Sequence, residues 1–381
     1  MVKTGSPSKM TKTKNIPSRG GVGWLIAGIF LLLSLLATYL LRVMPITSGV
    51  SEKMEYIAKT ARFPEQGIPL RTTYTRIPPL DKGLSFLVAA FLHGAAGWDR
   101  GFYVLQVYFL ISFFPVIAIW TVESCRRRNS LALISFTSIW AIFYQTVGGA
   151  IIVPLYYLAY LRDSSGSQYW SAESRQVPLP YAKALLPALI FGYLVPTILM
   201  FLPYSDTDHW TTQAMVALWQ PCPWFVDALG WVLSIVYSSM DSQTPQKQAS
   251  LLDIAYLDTI YTVAFVVSAL SHIGTLLVCL LSGDPQHSFN HIFFSRSGIR
   301  EPSLTEGLRA IFQADFWIIF ASSLVWAFLA IWDLKRIAKT EVSLSAAVAA
   351  LLLGSVCVGP AAAVAAVWYW REHVMAREGS A

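Results

Sequence analysis

The stretch that decides the fold is GFYVLQVYFLISFFPVIAIWTV, residues 101–122, which contains no charged side chain. A helix that crosses the hydrocarbon core of a bilayer needs about 20 consecutive apolar residues. The stretch therefore predicts a transmembrane helix. The rest of the chain agrees, because 55% of its 381 residues are hydrophobic and only 13% are charged, whereas soluble domains carry about 25% charged residues.

Further apolar runs on both sides of this stretch predict an all-α fold, a polytopic membrane helix bundle. We expect about eight transmembrane helices, between seven and nine. Two runs set this range: 84–97 is short for a span, and 130–161 is long enough for one kinked helix or two short ones. Gly148, Gly149 and Pro154 would break the longer run. The candidate spans are 23–43, 84–97, 101–122, 130–161, 181–203, 222–239, 259–282, 309–332 and 343–370.

Outside the apolar runs, composition predicts the domain organisation. Residues 1–21 are basic and rich in Ser, Thr and Gly, which is typical of a disordered tail. Residues 22–372 form a single transmembrane helical domain, and 373–381 form a short C-terminal tail. The net charge of +6 is spread over tail and loops, which favours a membrane surface over nucleic acid as partner. We expect an integral, multi-pass protein of the endoplasmic reticulum.

Charged residues at the edges of the runs, or inside them, are the first candidates for a functional site, because a charge at the centre of a membrane helix costs from about 2.5 kcal/mol upward. Asp315 lies about one helical turn into an apolar run. Asp81 begins another run, where a helix N-terminus alone would favour it. Glu123 directly follows the stretch 101–122, where an ion pair with Arg126 is the alternative interpretation.

Neutral polar and aromatic residues add to these candidates. Gln145 lies inside a run, either as a hydrogen bond between helices or as a substrate contact. The chain has 14 Trp, 17 Tyr and 21 Phe, and several fall in the runs beside the polar residues. An aromatic face stabilises a cation by about 0.5–2 kcal/mol. The sequence contains no Asp-rich diphosphate motif, P-loop, GxSxG or metal-binding motif, and we therefore expect neither a metal nor another cofactor.

Six short blocks follow one another between residues 70 and 372. They are IPPLDKGLSFLVAAF (77–91), ESCRRRN (123–129), YQTVGGAIIVPLYYL (144–158), ALWQPCP (217–223), IFQAD (311–315) and GPAAA (359–363). In this order they resemble the fungal integral-membrane terpene cyclases of meroterpenoid pathways, of the ascofuranone and macrophorin types.

The resemblance implies a metal-independent cyclase of the isomerase or lyase type. Such an enzyme protonates an epoxide or an alkene on a prenylated aromatic substrate and guides closure of the carbocation. The substrate would reach the protein through membrane lipids, from an upstream monooxygenase. We expect Asp81, Glu123 and Asp315 to be catalytic. The residues expected to bind substrate are Arg126, Asn129, Gln145, Trp219, Gln220, Gln313 and Trp317.

Two other functions use the same intramembrane polar residues. A transporter of small lipophilic metabolites would use them for passage of substrate or protons. A non-catalytic membrane scaffold would use them as hydrogen bonds between helices. Irregular run lengths and the lack of a detectable internal repeat disfavour the transporter.

Overall fold

The computed structural model describes residues 17–240, 252–294 and 302–376. The predicted disordered tail lies mostly outside the described residues, as does the end of the predicted C-terminal tail. The division into 1–21, 22–372 and 373–381 stays a prediction.

Helices account for the regular structure of the described residues. Arg62 and Pro69 form an isolated bridge, and these residues contain no β-strand. The predicted all-α class is confirmed. The α-helices of the described ranges are α1 Gly20–Thr38, α2 Met44–Thr47, α3 Val50–Thr60, α4 Pro78–Ala95, α5 Arg100–Ser124, α6 Thr137–Val147, α7 Gly149–Asp163, α8 Ala172–Arg175, α9 Leu179–Leu189, α10 Val195–Met200, α11 Trp210–Trp219, α12 Cys222–Met240, α13 Leu252–Leu281, α14 Phe289–Phe293, α15 Leu304–Arg336, α16 Leu344–Cys357 and α17 Pro360–Ala376.

Some of these helices are long and apolar enough to cross a membrane. Two of them consist of two α-helices joined by a π-helical segment. Gly20–Thr47 combines α1 with α2, and Leu179–Met200 combines α9 with α10. The length and composition of these helices support a membrane protein, while the expected number of about eight spans stays a prediction. The five candidate spans among the described residues are Gly20–Thr47, Arg100–Ser124, Leu179–Met200, Leu252–Leu281 and Leu304–Arg336.

The long run 130–161 holds two helices. Helix α6 ends at Val147, Gly148 adopts φ 118°, and α7 begins at Gly149. This φ value favours glycine, because a Cβ atom would be strained there. Pro154 does not break the run and lies inside α7. At the break, main-chain groups of α6 and α7 are hydrogen-bonded by the side chains of Arg42 and Asp315.

The run 343–370, predicted as one span, is divided. Gly359 adopts φ 94° and separates α16 from α17. The prediction of one continuous helix was wrong because the composition of the run is apolar on both sides of the turn, which hides it from a count of apolar residues.

Helix α5 is the centre of the bundle, since 78% of its most apolar stretch is buried inside the protein. It packs against α4, α13 and α17. Helix α15 crosses the bundle beside α1, α7 and α17. Between α15, α4 and the α6–α7 break, the packing leaves open space, and the candidate site lies there.

Candidate active site

A cavity of about 520 Å³ lies between the π-helical end of the first span, α3, α4, α5, the α6–α7 break, α11 and α15. We call it the Asp315 cavity. Its volume falls in the range of 300–1,000 Å³ that is typical of small-molecule sites. Asp315, Arg42, Gln145 and Tyr144 line it together with mainly apolar side chains. It therefore offers a mainly apolar space with a minority of polar groups in its wall.

The carboxyl group of Asp315 lies on the first turn of α7. Its Oδ1 atom accepts a hydrogen bond from the backbone N–H of Ala150, with an N···O distance of 2.5 Å. A Cβ atom built on Gly149 would lie 2.7 Å from Cδ1 of Ile319 and 3.5 Å from each carboxyl oxygen, so the glycine makes room for Ile319 and leaves the carboxyl group at an ordinary contact distance. The N-terminus of a helix carries partial positive charge, and this arrangement stabilises a carboxylate.

Arg42 supplies a positive charge to the cavity, which Glu55 and Lys82 also line. Its Nη2 atom donates to the carbonyl oxygen of Thr146 at 3.0 Å and to that of Val147. These carbonyls are unpaired within α6 because they lie in its last turn. The guanidinium also acts electrostatically on Asp315. One arginine thus closes the end of α6 and balances the acid at the start of α7.

Aromatic rings form much of the cavity wall. The ring centroids of Phe91 and Phe312 are 4.9 Å apart, and those of Phe91 and Trp219 are 5.3 Å apart. The indole of Trp219 is fixed by a 2.9 Å hydrogen bond to the hydroxyl of Thr197. A wall of π faces suits a cationic guest. The aromatic residues of the wall are Phe86, Phe91, Phe109, Phe113, Tyr144, Trp219 and Phe312.

Gln145 lines both this cavity and a second one. Its Nε2 atom donates to the backbone oxygen of Gln220 at 3.0 Å, which ties α6 to the junction of α11 and α12. The second cavity has a volume of about 480 Å³ and is lined by Gln145, Gln220, Tyr74 and Arg71, among others. We call it the Gln220 cavity. Three of the predicted substrate-binding residues, Gln145, Trp219 and Gln220, therefore lie in this part of the bundle.

Gln313 and Trp317 project toward α14. The Nε2 atom of Gln313 donates to the backbone oxygens of His291 and Ile292 at 3.0 and 2.9 Å. The indole of Trp317 donates to the oxygen of Phe293 at 2.8 Å. Both side chains fix α15 against α14, on a side of α15 that faces a different cavity. Gln313 therefore holds α15 against α14, and its amide does not donate to Asp315.

Glu123 lies in a buried ionic cluster at the other end of α7. Its Oε1 atom is 3.0 Å from Nε of Arg126 and 3.2 Å from Nη1 of Arg371. Its Oε2 atom accepts from the hydroxyl of Tyr169 at 2.9 Å. Its backbone oxygen accepts from Nδ2 of Asn129 at 2.8 Å. Every predicted site residue of the ESCRRRN block is thus engaged within the protein.

The same cluster continues through further charges. Glu372 pairs with Arg126, with Arg371 at 3.3 Å and with Arg175 at 3.1 Å. Arg175 in turn pairs with Asp253 at 3.1 Å. These contacts link α5, α8, α13 and α17. Buried ion pairs survive where each charge is matched and hydrogen-bonded, and the dense pairing assigns this cluster to the framework.

Asp81 holds the loop that precedes α4. Its Oδ1 atom accepts from the N–H groups of Tyr74 and Thr75 at 3.1 and 2.7 Å and from the Thr75 hydroxyl at 2.8 Å. Its Oδ2 atom accepts from the N–H of Arg76 at 3.1 Å. Burial would raise the pKa of Asp81, but these hydrogen bonds from Thr75, Tyr74 and Arg76 prevail and hold it below its usual value.

The predicted acids do not share one chamber. Asp315 meets α7 at Ala150, whereas the Glu123 cluster reaches α7 at Tyr160, whose hydroxyl lies 3.1 Å from that of Tyr169. Ten residues of helix separate these two points, which is about 15 Å along the axis. Asp315 alone of the three predicted acids lines the aromatic cavity.

The CtvD domain family matches residues 26–376, which is most of the chain. The chain belongs to the CtvD family. This confirms the family predicted from the order of the six blocks.

Several relatives of this CtvD chain carry the name terpene cyclase. The chain is 24% identical over 291 residues to the terpene cyclase ascI of Acremonium egyptiacum, which covers 74% of this chain and 73% of the relative. It is 27% identical over 332 residues to the terpene cyclase DEP1 of Alternaria brassicicola, covering 79% and 84%.

Other relatives carry the name FAD-dependent monooxygenase. The chain is 24% identical over 275 residues to verC1 of Penicillium polonicum, covering 69% of this chain but only 32% of the relative. The CtvD chain thus spans about a third of such relatives. No solved structure gives a significant match to the chain.

Sequence reasoning missed several residues of the cavity of this CtvD chain. Arg42 ends the first apolar run, a position that is typical of a lysine or arginine reaching toward headgroups, and nothing in the run signals that it caps α6. Phe91 and Phe312 lie within the quoted blocks, yet their convergence depends on packing between α4 and α15. The Asp315 signal was visible because a carboxylate is costly in an apolar run.

Proposed function

We propose that this chain is a membrane-bound terpene cyclase that protonates an epoxide or alkene on a prenylated aromatic substrate. Asp315 is its acid. The observation that carries the proposal is the position of the Asp315 carboxyl group, on the first turn of α7 and in a cavity walled by aromatic rings. The terpene cyclase names of relatives that share two thirds or more of their length with this chain support the same reaction class.

Asp315 has one engaged oxygen and one available oxygen. Oδ1 accepts from Ala150, and no other hydrogen bond to its carboxyl group occurs among the described residues. A protonated Oδ2 would donate to a guest in the cavity. After the proton leaves, the Ala150 N–H, the start of α7 and Arg42 stabilise the remaining carboxylate. The same groups therefore favour the product side of the proton transfer.

The reaction conserves atoms and charge. The proton of Asp315 moves to the epoxide oxygen, and the C–O bond to the more substituted carbon breaks. The π electrons of a neighbouring alkene form the new C–C bond, and positive charge moves to the next carbon. Loss of a proton to water or to a carboxylate ends the sequence, and the product is an isomer of the substrate. The aromatic wall stabilises the cations and excludes water that would capture them early.

The proposed setting is the endoplasmic reticulum membrane, with a monooxygenase as the source of the epoxide. The relatives named FAD-dependent monooxygenase contain a segment similar to this chain, which favours an epoxidising step close to cyclisation. The substrate is lipid-soluble and enters the cavity from the bilayer.

The test is cyclisation of an epoxidised prenyl phenol by the purified full chain in nanodiscs, followed by chromatography and mass spectrometry. We expect a product of unchanged mass with one or more new rings. A transporter or a scaffold would return the substrate unchanged. Asp315→Asn should lose the activity while its expression and thermal stability remain near the wild type, and full activity of this variant would contradict the assignment.

A further inference from the structure

Two polar groups in the Gln220 cavity have no hydrogen-bond partner among the described residues. Neither Oε1 nor Nε2 of Gln220 forms a hydrogen bond within the described residues, and the same holds for the hydroxyl of Tyr74. Gln220 is only 6% exposed. A buried polar group without a partner costs free energy, and such groups in native structures call for an explanation.

The two groups come from different parts of the fold. Gln220 lies between α11 and α12, and Tyr74 lies in the loop before α4. The rest of the lining is mainly apolar, with Leu84, Leu87 and Ile142 among its members. An apolar cavity in which a few polar groups converge is the usual form of a small-molecule site.

The loop geometry fixes Tyr74 at the cavity. Asp81 accepts hydrogen bonds from the main chain of residues 74–76. Within that loop Arg76 adopts φ 65°, a left-handed conformation that a non-glycine residue adopts only at a cost. The guanidinium of Arg71 lies 5.1 Å from the centroid of the Tyr74 ring. Burial raises the pKa of the Tyr74 hydroxyl, so this group remains a hydrogen-bond donor at neutral pH.

The Gln220 cavity adjoins the Asp315 cavity and shares wall residues with it. Leu87, Gln145 and Thr146 line both spaces. An elongated guest that passes between these shared residues would occupy both cavities, with its polar end in one and its apolar chain in the other.

We propose that the Gln220 cavity binds the oxygenated aromatic head of the substrate through Gln220 and Tyr74, while the prenyl chain lies in the Asp315 cavity. This rests on the proposed cyclase function for the identity of the guest. The carboxamide offers two donors and one acceptor, and the tyrosine hydroxyl offers one donor and an acceptor. Phenol and carbonyl oxygens match this set. Asp81 is a positioning residue, since it acts through the loop that carries Tyr74.

A binding measurement tests the head site without turnover. The probe is a tritiated prenyl phenol that lacks the epoxide, and the protein is the full chain in nanodiscs. We expect Gln220→Leu and Tyr74→Phe each to raise Kd by about three- to tenfold, which is the loss of one hydrogen bond. Tyr56→Phe, which alters an exposed tyrosine, is the matched control and should bind like the wild type.

Turnover separates this inference from the proposed function. The two substrates are an epoxidised prenyl phenol and an epoxidised farnesyl chain without the aromatic head. Gln220→Leu, Tyr74→Phe and Asp81→Asn should raise KM for the first substrate and leave both KM and kcat for the second unchanged. Asp315→Asn should lose turnover of both substrates yet bind the probe with unchanged Kd.

Each outcome decides one of the two claims. Unchanged probe binding in Gln220→Leu and Tyr74→Phe, or no probe binding by the wild type, overturns the head site whatever the turnover shows. Turnover retained by Asp315→Asn overturns the acid and leaves the head site standing on the binding data. If Gln220→Leu does not fold, Gln220→Met keeps the length of the side chain, and the same comparison applies.

Discussion

The carboxyl group of Asp315 accepts a hydrogen bond from the backbone N–H of Ala150 at 2.5 Å. An acidic side chain of α15 therefore lies on the first turn of α7. The contact places a carboxyl group inside an aromatic cavity without a neighbouring acidic residue being needed to hold it. Whether the cavity performs acid catalysis depends on this single group.

Replacement of Asp315 by Asn should lower kcat by about 100-fold or more, because general acid catalysis contributes about 10²–10⁴. The amide keeps the acceptor for Ala150 and loses the proton to be donated. Rates of epoxide cyclisation by purified protein provide the measurement. Glu55→Gln is the control, since Glu55 lines the same cavity but its side chain is 63% exposed and paired with Lys59. Equal losses in both variants would contradict a specific role for Asp315.

Replacement of Glu123 by Gln should reduce stability rather than chemistry. It leaves Arg126 and Arg371 buried without their shared carboxylate, and breaking a buried pair costs about 3–5 kcal/mol. We expect a lower unfolding temperature in detergent, with unchanged turnover per folded molecule. Glu341→Gln, at an exposed position, should change neither. A Glu123→Gln protein that keeps its unfolding temperature but loses turnover would make Glu123 catalytic after all.

Replacement of Phe312 by Leu should weaken cation stabilisation. Loss of one aromatic face removes about 0.5–2 kcal/mol, which is a decrease in rate of about 2- to 30-fold. Products captured early by water should increase in the mass spectrum. Phe289→Leu is the matched control because Phe289 is 48% exposed. An unchanged product pattern in the Phe312 variant would remove the aromatic wall from the mechanism.

Replacement of Gly148 by Ala should destabilise the α6–α7 break. The backbone there has φ 118°, and a Cβ atom would lie 3.0 Å from Cδ2 of Leu41. Strain of this kind costs about 1–3 kcal/mol, so the unfolding temperature should fall. Gly28→Ala offers the comparison, because a Cβ atom there meets nothing within 4 Å. An unchanged unfolding temperature in Gly148→Ala would show that the break tolerates a side chain.

Acid should loosen the loop that Asp81 holds. The pKa of Asp81 is lower in the folded state than in the unfolded chain. The contribution of its carboxylate to stability is therefore fully present above the unfolded pKa of about 3.9, and it is lost as pH falls through the lower folded pKa. Hydrogen exchange of residues 71–77, corrected for intrinsic rates, should show protection at pH 6 that decreases below about pH 4. Asp81→Asn should lack most of this protection at both pH values. Equal protection in the two proteins would contradict the prediction.

Several features of the fold could be predicted from the sequence because they follow from composition. The helical class and the apolar spans depend on runs of apolar residues, and a glycine pair indicated the break in 130–161. The division at Gly359 was missed, since small apolar residues continue across it. Length and hydropathy record how apolar a run is, and they do not record where the chain turns.

The candidate site was only partly predictable. Asp315 stood out because a lone carboxylate in an apolar run requires a reason. Glu123 looked similar in the sequence, yet Arg371 and Glu372, almost 250 positions later, complete its ionic cluster. Asp81 is held by its own neighbours in the chain, and a pattern of residue types does not reveal which oxygen atoms are already occupied.

The partner that fixes the acid is a main-chain amide. That donor survives every replacement of the side chain at position 150 except proline, so neither alanine scanning nor a search for shared motifs would detect it. Enzymes that depend on such an amide can diverge widely in sequence around α7 and keep their acid in place.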